Sequence, residues 1–273
     1  MTHLLGYICS NSSLTPYAIE TVRQEAWPHR ATPWAASGFG WLQESRTLLQ
    51  KHPHHGAPVD MLGLMADISA RALVGHMSQD TNGGVDSLDL QPFRFRKWVY
   101  AQSGQIPQFE TYRSEMLAET PDYLRRGIHG STAAELLFLR FYHHMCENGS
   151  LAQNGVRGEA VARALAETLR EAQRHQAPGD SGELGLNIIA VTERFMVVAR
   201  TGPPMHLRRF EGMKHPAEEP LFAGHRPKTI SHPQFRAAFV ASGLQPAQGD
   251  WQELEKNAIT WVDPDWRTQT MAL

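Results

Sequence analysis

The side chains best able to hold a metal or move a proton are scattered along the chain. His52, His54 and His55 stand in the run KHPHH, a density that could bind a divalent ion. Pro53 separates them, and no Cys or Asp pair lies nearby in sequence, so a solvated turn is expected and no metal. His143 and His144 are adjacent in a helical stretch; neighbours on a helix point in different directions and cannot chelate together. His76 sits inside the apolar run ALVGHMS and reads as a packed, hydrogen-bonded core histidine. Cys9 reads as a small buried apolar residue, and Trp41, Trp98 and Tyr100 as core or strand-edge packing. No cofactor is expected.

Those side chains must be positioned by a chain of 273 residues, 41% hydrophobic, with a formal net charge of -2. The length suits one large domain, expected to span 1–273. The charge balance gives no reason to expect nucleic acid or an anionic membrane as partner. No apolar run approaches the roughly 20 residues that span a bilayer. The start of the chain carries no basic segment followed by an apolar one, so no secretory signal is expected. Two cysteines do not make a disulfide framework. A cytoplasmic setting is the expectation.

The run HLLGYIC (3–9) predicts a strand almost at the chain start, and Thr15-Pro16 a helix cap and first turn leading to about Ala26. Strands are predicted at Gly38–Gln43 and Arg46–Lys51 around a Glu44-Ser45 turn, then a short helix over 58–67, a buried strand over 72–78 and an Asn82-Gly83-Gly84 turn. A strand over 96–103 precedes helices over 110–119, 131–147 and 156–176. Thr132 and Glu135 have capping-box spacing. Strands are expected at 186–192, 194–201, 236–242, 257–263 and 266–271, with 203–233 a surface excursion rich in Pro and His. Strands, then helices, then strands predict an α+β fold of stacked sheets and helices rather than βαβ units.

Six fragments, in order, resemble the stand-alone class II glutamine amidotransferases of the ergothioneine-hydrolase and YafJ-like group. MTHLLGY resembles the opening Met-Cys-x-Leu-Leu-Gly. SGFG (37–40) resembles Asp-Gly-Trp-Gly, and GHMSQDT (75–81) resembles His-x-Arg-x-Ala-Thr. QPF (91–93) followed by QSG (102–104) resembles His-Pro-Phe and a strand ending in His-Asn-Gly. HGSTAAE (129–135) resembles Gly-x-Thr-Asp-Ser-Glu, and RAAFVASGL (236–244) the closing hairpin. The resemblance implies the four-layer αββα sandwich of the N-terminal-nucleophile hydrolases.

It also implies roles, and here the chain departs from the pattern. The family's nucleophile is a Cys at position two whose own α-amine is the base; here that position is Thr2. A thiol, with a pKa near 8.5, needs little help, whereas a hydroxyl needs a base, which the free Thr2 amine would supply if Met1 is removed. The oxyanion pair, an Asn side chain and the next Gly amide, falls on Ser103 and Gly104; losing one such donor costs about 10²–10³ in rate. The Arg that grips the glutamine carboxylate falls on Ser78, and the Asp that balances its ammonium on Ala133. His76, Gln79, Gly38 and Phe39 complete the expected substrate-binding set. Gly38, Gly40, Thr81, Pro92, Phe93, Gly104, Gly130, Thr132 and Glu135 match the scaffold pattern. Arg94, Arg96 and Lys97 read as a solvated strand edge beside this pocket, or as a site for an anion other than glutamine.

A zwitterion cannot be desolvated where neither of its charges is paired. The expectation is therefore a catalytically inactive amidotransferase-like protein that binds a partner protein or a small amide or γ-glutamyl-like ligand. The rival expectation is an amidohydrolase acting through Thr2. A homodimer, or pairing with an active homologue, is a further possibility for its assembly.

Overall fold

A computed structural model describes residues 2–26, 32–54, 57–79, 87–151, 157–174, 184–216, 229–244, 246 and 249–273. In chain order the first elements are β1 (Thr2–Cys9), α1 (Thr15–Ala26), β2 (Thr32–Pro33), β3 (Ala36–Gln43), β4 (Arg46–Pro53), β5 (Pro58–Val59), α2 (Met61–Ala66) and β6 (Ala72–Ser78). Next come β7 (Phe93–Phe95), β8 (Trp98–Ser103), α3 (Phe109–Glu119), α4 (Asp122–Arg125), α5 (Ala133–Glu147) and α6 (Gly158–Arg174). The chain closes with β9 (Asn187–Thr192), β10 (Phe195–Arg200), β11 (Met205–Pro216), β12 (Thr229–Ser242), β13 (Trp251–Glu253), β14 (Ala258–Val262) and β15 (Thr268–Ala272).

Two antiparallel sheets stack face to face. One has the order β13-β11-β12-β1-β6-β3-β4, the other β15-β14-β10-β9-β8-β7. Side chains alternate across each strand, and the burial follows. Along β1, Leu4 and Ile8 enter the core between the sheets with Val99, Ala101 and Ile189. Leu5, Tyr7 and Cys9 point the other way, into a core shared with Ala18, Ile19 and Val22 of α1 and Leu62 of α2. Beyond the second sheet lies a third core, where α5 and α6 pack on β8 and β10. Helices, sheet, sheet and helices make the expected α+β, four-layer arrangement.

The outer helix layer is locked by rings. Tyr100 stacks on Phe138 with centroids 4.9 Å apart, and Trp98 meets Phe141 edge-on at 5.8 Å. Between α5 and α6 the fully buried Glu171 receives Arg140 (Nη2 to Oε2, 3.0 Å) and lies 2.9 Å from His144 Nε2. Burial pushes the Glu171 carboxyl up, but the hydrogen bonds from His144 and Arg140 outweigh it and hold the group below its ordinary value.

Several expectations are corrected. The stretch 203–233 is not a bare excursion: β11 pairs along most of its length with β12, which begins at Thr229 rather than 236. Its exposed face carries Arg and Lys while Met205, Leu207, Phe210 and Met213 are buried, so composition hid the alternation. A bulge between Glu211 and Met213, where Gly212 takes φ 92°, reverses that alternation midway. The strand expected from 96 starts at Trp98, because Arg96 adopts φ 52° and turns the chain. Thr15 does not cap α1; Asn11 caps a 3₁₀ turn at Ser12–Leu14, and the Thr15 hydroxyl donates to Ala70 O at 2.8 Å. Glu135 does not reach back to the capping residue, although Thr132 accepts from Glu135 N; its carboxylate accepts from His129 N and Gly130 N. The expected 82–84 turn lies outside the described residues.

Removing a partner from a buried ion pair leaves an uncompensated charge, a loss of about 3–5 kcal/mol. Glu171→Ala should cost that much in denaturant unfolding. Because the native Glu171 is held below its unfolded value, its stabilisation is present above the ordinary carboxylate range and lost as pH falls below it. The variant should therefore show a flatter loss of stability in acid than the parent.

Candidate functional site

Three strands of the first sheet start or stop at one end of the sandwich. Thr2 pairs with Ser78, and Ser78 pairs with Ala36 on its other side. Leu4 and Gly38 flank His76 in the same register. By the alternation that puts Leu4, Val74 and Leu42 between the sheets, Thr2, His76, Ser78 and Gly38 all face the second sheet. On that sheet Val99 and Ala101 face back, so Ser103 continues their row at the end of β8. Register and alternation thus bring Thr2, Ser78, His76 and Ser103 to one end of the inter-sheet space.

A residue outside the expected set joins the two sheets there. The Gln91 Oε1 accepts from Gln102 N at 2.6 Å, and its Nε2 donates to Gln102 O at 2.9 Å. The same Nε2 lies 3.3 Å from His76 Nε2. The β7–β8 ladder pairs Phe93 with Tyr100, so Gln102 is the next position opposite residue 91, and the Gln91 side chain takes the place of a ladder bond. The Gln102 backbone fixes which end of the carboxamide is the donor, so His76 Nε2 accepts and its proton sits on Nδ1. Burial lowers the His76 pKa to about 4. A neutral imidazole with Nε2 committed to Gln91 is a structural histidine. The sequence signal for Gln91 was weak: a polar residue before proline, with nothing to show that its side chain would pair.

Gly38 has a packing reason. A Cβ there would run into the Gln91 carbonyl, and one at Gly40 into Val99. Both glycines let the 91–92 segment cross β3, so Gly38 is covered by protein. Gly104 has φ 93°, and a Cβ would meet the Gly185 carbonyl, which restricts this position to glycine.

Other expected residues are placed elsewhere. Phe39 is one residue out of phase with Gly38 and is buried in the outer core with Trp34, Leu62 and Met77, away from the inter-sheet space. Ser37 shares that face and lies 2.6 Å from His54 Nε2, so His54 is bound to β3 and His52 lies within β4 rather than in a free turn. Ala133 packs against the helix-side core behind β8. Gln79 is exposed beyond the end of β6. Thr81 and His55 lie outside the described residues. Arg94 donates to Thr47 O at 2.6 Å and is exposed with Arg96 and Lys97, a solvated edge.

Acidic and amide groups do stand near this end, but they are engaged. Asp89 accepts from Ser131 N (2.6 Å) and from its hydroxyl (3.0 Å). Glu135 holds the 129–130 amides. Lys51 approaches Asp89 and Glu135, yet burial wins and lowers its pKa. Opposite Ser103, the buried Asn187 accepts from Gly202 N and donates to Pro203 O at 3.1 and 3.0 Å. Beside Thr2, His3 packs edge-on against Trp34 at 5.0 Å, and burial lowers its pKa.

Among the described residues no group of three or more His, Cys, Asp or Glu is gathered to hold a metal. No helix of the described residues is long and apolar enough to cross a membrane.

A profile of the family described as glutamine amidotransferases class-II matches residues 1–206. No curated protein matches the chain in sequence. Among solved structures, a glutamine aminotransferase class-II domain protein from Silicibacter pomeroyi superposes with TM-score 0.59 at 15% identity, covering 99% of this chain and 98% of that one. A predicted glutamine amidotransferase from Pseudomonas aeruginosa gives 0.56 at 14%, covering 100% and 96%. The glutamine phosphoribosylpyrophosphate amidotransferase of B. subtilis gives 0.54 at 12%; the match covers 99% of this chain and 49% of that one. At these identities the likeness is one of fold.

Gln91→Leu keeps the volume but strips Gln102 of both partners, and each unmet buried group costs about 1–3 kcal/mol. Amide exchange at Gln102 should accelerate sharply in this variant. For His76, the folded pKa of about 4 lies below the unfolded 6.5. The unfolded chain then binds the extra proton first, so stability falls as pH drops from 6.5 towards 4. In an NMR titration the His76 ring should not protonate above about pH 5.

Proposed function

The chain belongs to the class II glutamine amidotransferase family, and from that premise we propose that it is a catalytically inactive member which binds a partner protein or a small amide or γ-glutamyl-like ligand at the Thr2 end of the sandwich. The observation that supports this reading is that the side chains gathered there by register, Thr2, Ser78, His76 and Ser103, carry no charge to pair with a glutamine zwitterion. By the resemblance, Ser78 falls on the family's Arg and Ala133, which packs against the helix-side core, on its Asp. The carboxylates that are near, Asp89 and Glu135, already accept backbone amides. His76 is held neutral with Nε2 on Gln91. A carboxylate or ammonium brought there loses hydration without gaining a counter-charge. What such a surface can satisfy is a neutral amide or a backbone segment, through the hydroxyls of Thr2, Ser78 and Ser103 and the Gly104 amide. We place this activity in the cytoplasm, with a homodimer or an active homologue as the form of assembly that fits a subunit without chemistry of its own.

A second reading has one specific observation in its favour. Thr2 begins a central strand, paired to β6 and facing the second sheet, the placement an N-terminal nucleophile needs. With Met1 removed, the Thr2 α-amine could deprotonate its own hydroxyl directly or through water, and the hydroxyl would attack an amide carbonyl. With Met1 retained, that nitrogen is an amide and no base is available.

Two measurements separate the readings. Assays for ammonia and glutamate, with glutamine and γ-glutamyl compounds as substrates, should show no turnover above that of Thr2→Ala; robust turnover abolished by that substitution would sink the binding proposal. Intact-mass analysis of the purified protein decides whether the second reading is available: Met1 in place rules that mechanism out, and its removal keeps it alive.

A further inference from the structure

At the far part of the β11–β12 ribbon two imidazoles face each other. His215 pairs in register with Ile230, and His232 with Met213, one step along the ladder. The bulge at Glu211/Met213 puts Met213, and so His215 two residues on, on the face that carries Phe210. There the His215 ring stacks on Tyr17 of α1 at 3.8 Å and 17°, and on His232 at 5.1 Å and 8°. The two Nε2 atoms are 3.1 Å apart. His215 Nδ1 lies 2.8 Å from Pro216 O. A carbonyl only accepts, so Nδ1 carries the proton and Nε2 presents a lone pair. That is the arrangement by which a backbone carbonyl orients a metal-ligating histidine. His215 is almost fully buried, whereas His232 is half-exposed, so one side of the pair is open to solvent.

We infer that His215 and His232 form a two-imidazole chelating site for a divalent transition ion of the Cu²⁺ or Zn²⁺ class. Two nitrogens each about 2.0–2.1 Å from one ion are roughly 2.8–3.4 Å apart between square-planar and tetrahedral angles, and the observed separation falls inside that interval. Without metal, His232 Nε2–H donates to the His215 lone pair. On binding, His232 moves its proton to Nδ1 and both Nε2 lone pairs face the ion. Among the described residues the site is made of these two imidazoles. Imidazole nitrogen favours Cu²⁺ most among the first-row divalent ions. The site lies on the outer face of the first sheet, over α1, and is independent of the binding proposed at Thr2.

The test is titration of the full chain with Cu²⁺, followed by calorimetry and electron paramagnetic resonance. One equivalent should bind with the hyperfine pattern of two equatorial nitrogens. His232→Gln and His215→Gln should each weaken binding at least ten-fold and abolish the rise in thermal midpoint that Cu²⁺ gives the parent, while His52→Gln leaves both unchanged. Circular dichroism of the metal-free variants checks that they fold. Fewer than two nitrogens on the bound ion of the parent, which needs no variant to establish, overturns the proposal. So does binding that is unchanged in both variants of the pair, or that falls only with His52→Gln.

Discussion

Everything in this molecule is hung on one strand that is buried on both faces. β1 pairs with β6 on one side and with β12 on the other, so the chain's beginning is tied into its last third. Its even-numbered residues fill the space between the sheets and its odd-numbered ones fill the space under α1. A strand in that position has no solvated face to relax into, so apolar residues must run through it without a break, as they do from Leu4 to Cys9. The Leu4 amide, near the strand's start, is met by the Ser242 hydroxyl at 2.8 Å.

The second constraint is the Gln91 carboxamide. Its oxygen accepts from Gln102 N and its two donor hydrogens go to Gln102 O and His76 Nε2, so no donor is left over for a ligand. The consequences spread outward. His76 loses its lone pair to it, Gln102 gains a ladder partner from it, and β3 must carry glycine at 38 to let the Gln91 carbonyl by. One polar side chain thereby ties the end of the second sheet to His76 of the first.

Much of this could be read from the amino acids. The strand over 72–78 and the Glu44-Ser45 turn were legible because their signals are local: an apolar run of strand length, and two polar residues between two strands. The turn takes φ 49° and 64° at those two residues. The layered α+β arrangement followed from element order and from the resemblance. What could not be read depended on long-range geometry. β11 was obscured because a bulge breaks its alternation and its outward face is basic. Phe39 was placed with the ligand set because it falls within the motif that resembles Asp-Gly-Trp-Gly, yet a strand's period of two sends it to the face opposite Gly38. Gln91, Asn187 and His3 gain meaning only from partners far along the chain, at positions that no motif spacing fixes.

The separation of the interior into three packed regions divides the task of folding from that of presenting polar groups. The helix-side cores hold most of the large aromatic side chains, Trp98, Phe138, Phe141 and Phe195 on one side and Trp34, Phe39 and Phe239 on the other. The strand ends around Thr2, Ser78 and Ser103 contribute small polar groups and little buried area. Sequence can therefore drift at that end while folding is secured elsewhere. Substitutions there, whatever those residues do, disturb little of the packing that holds the scaffold together.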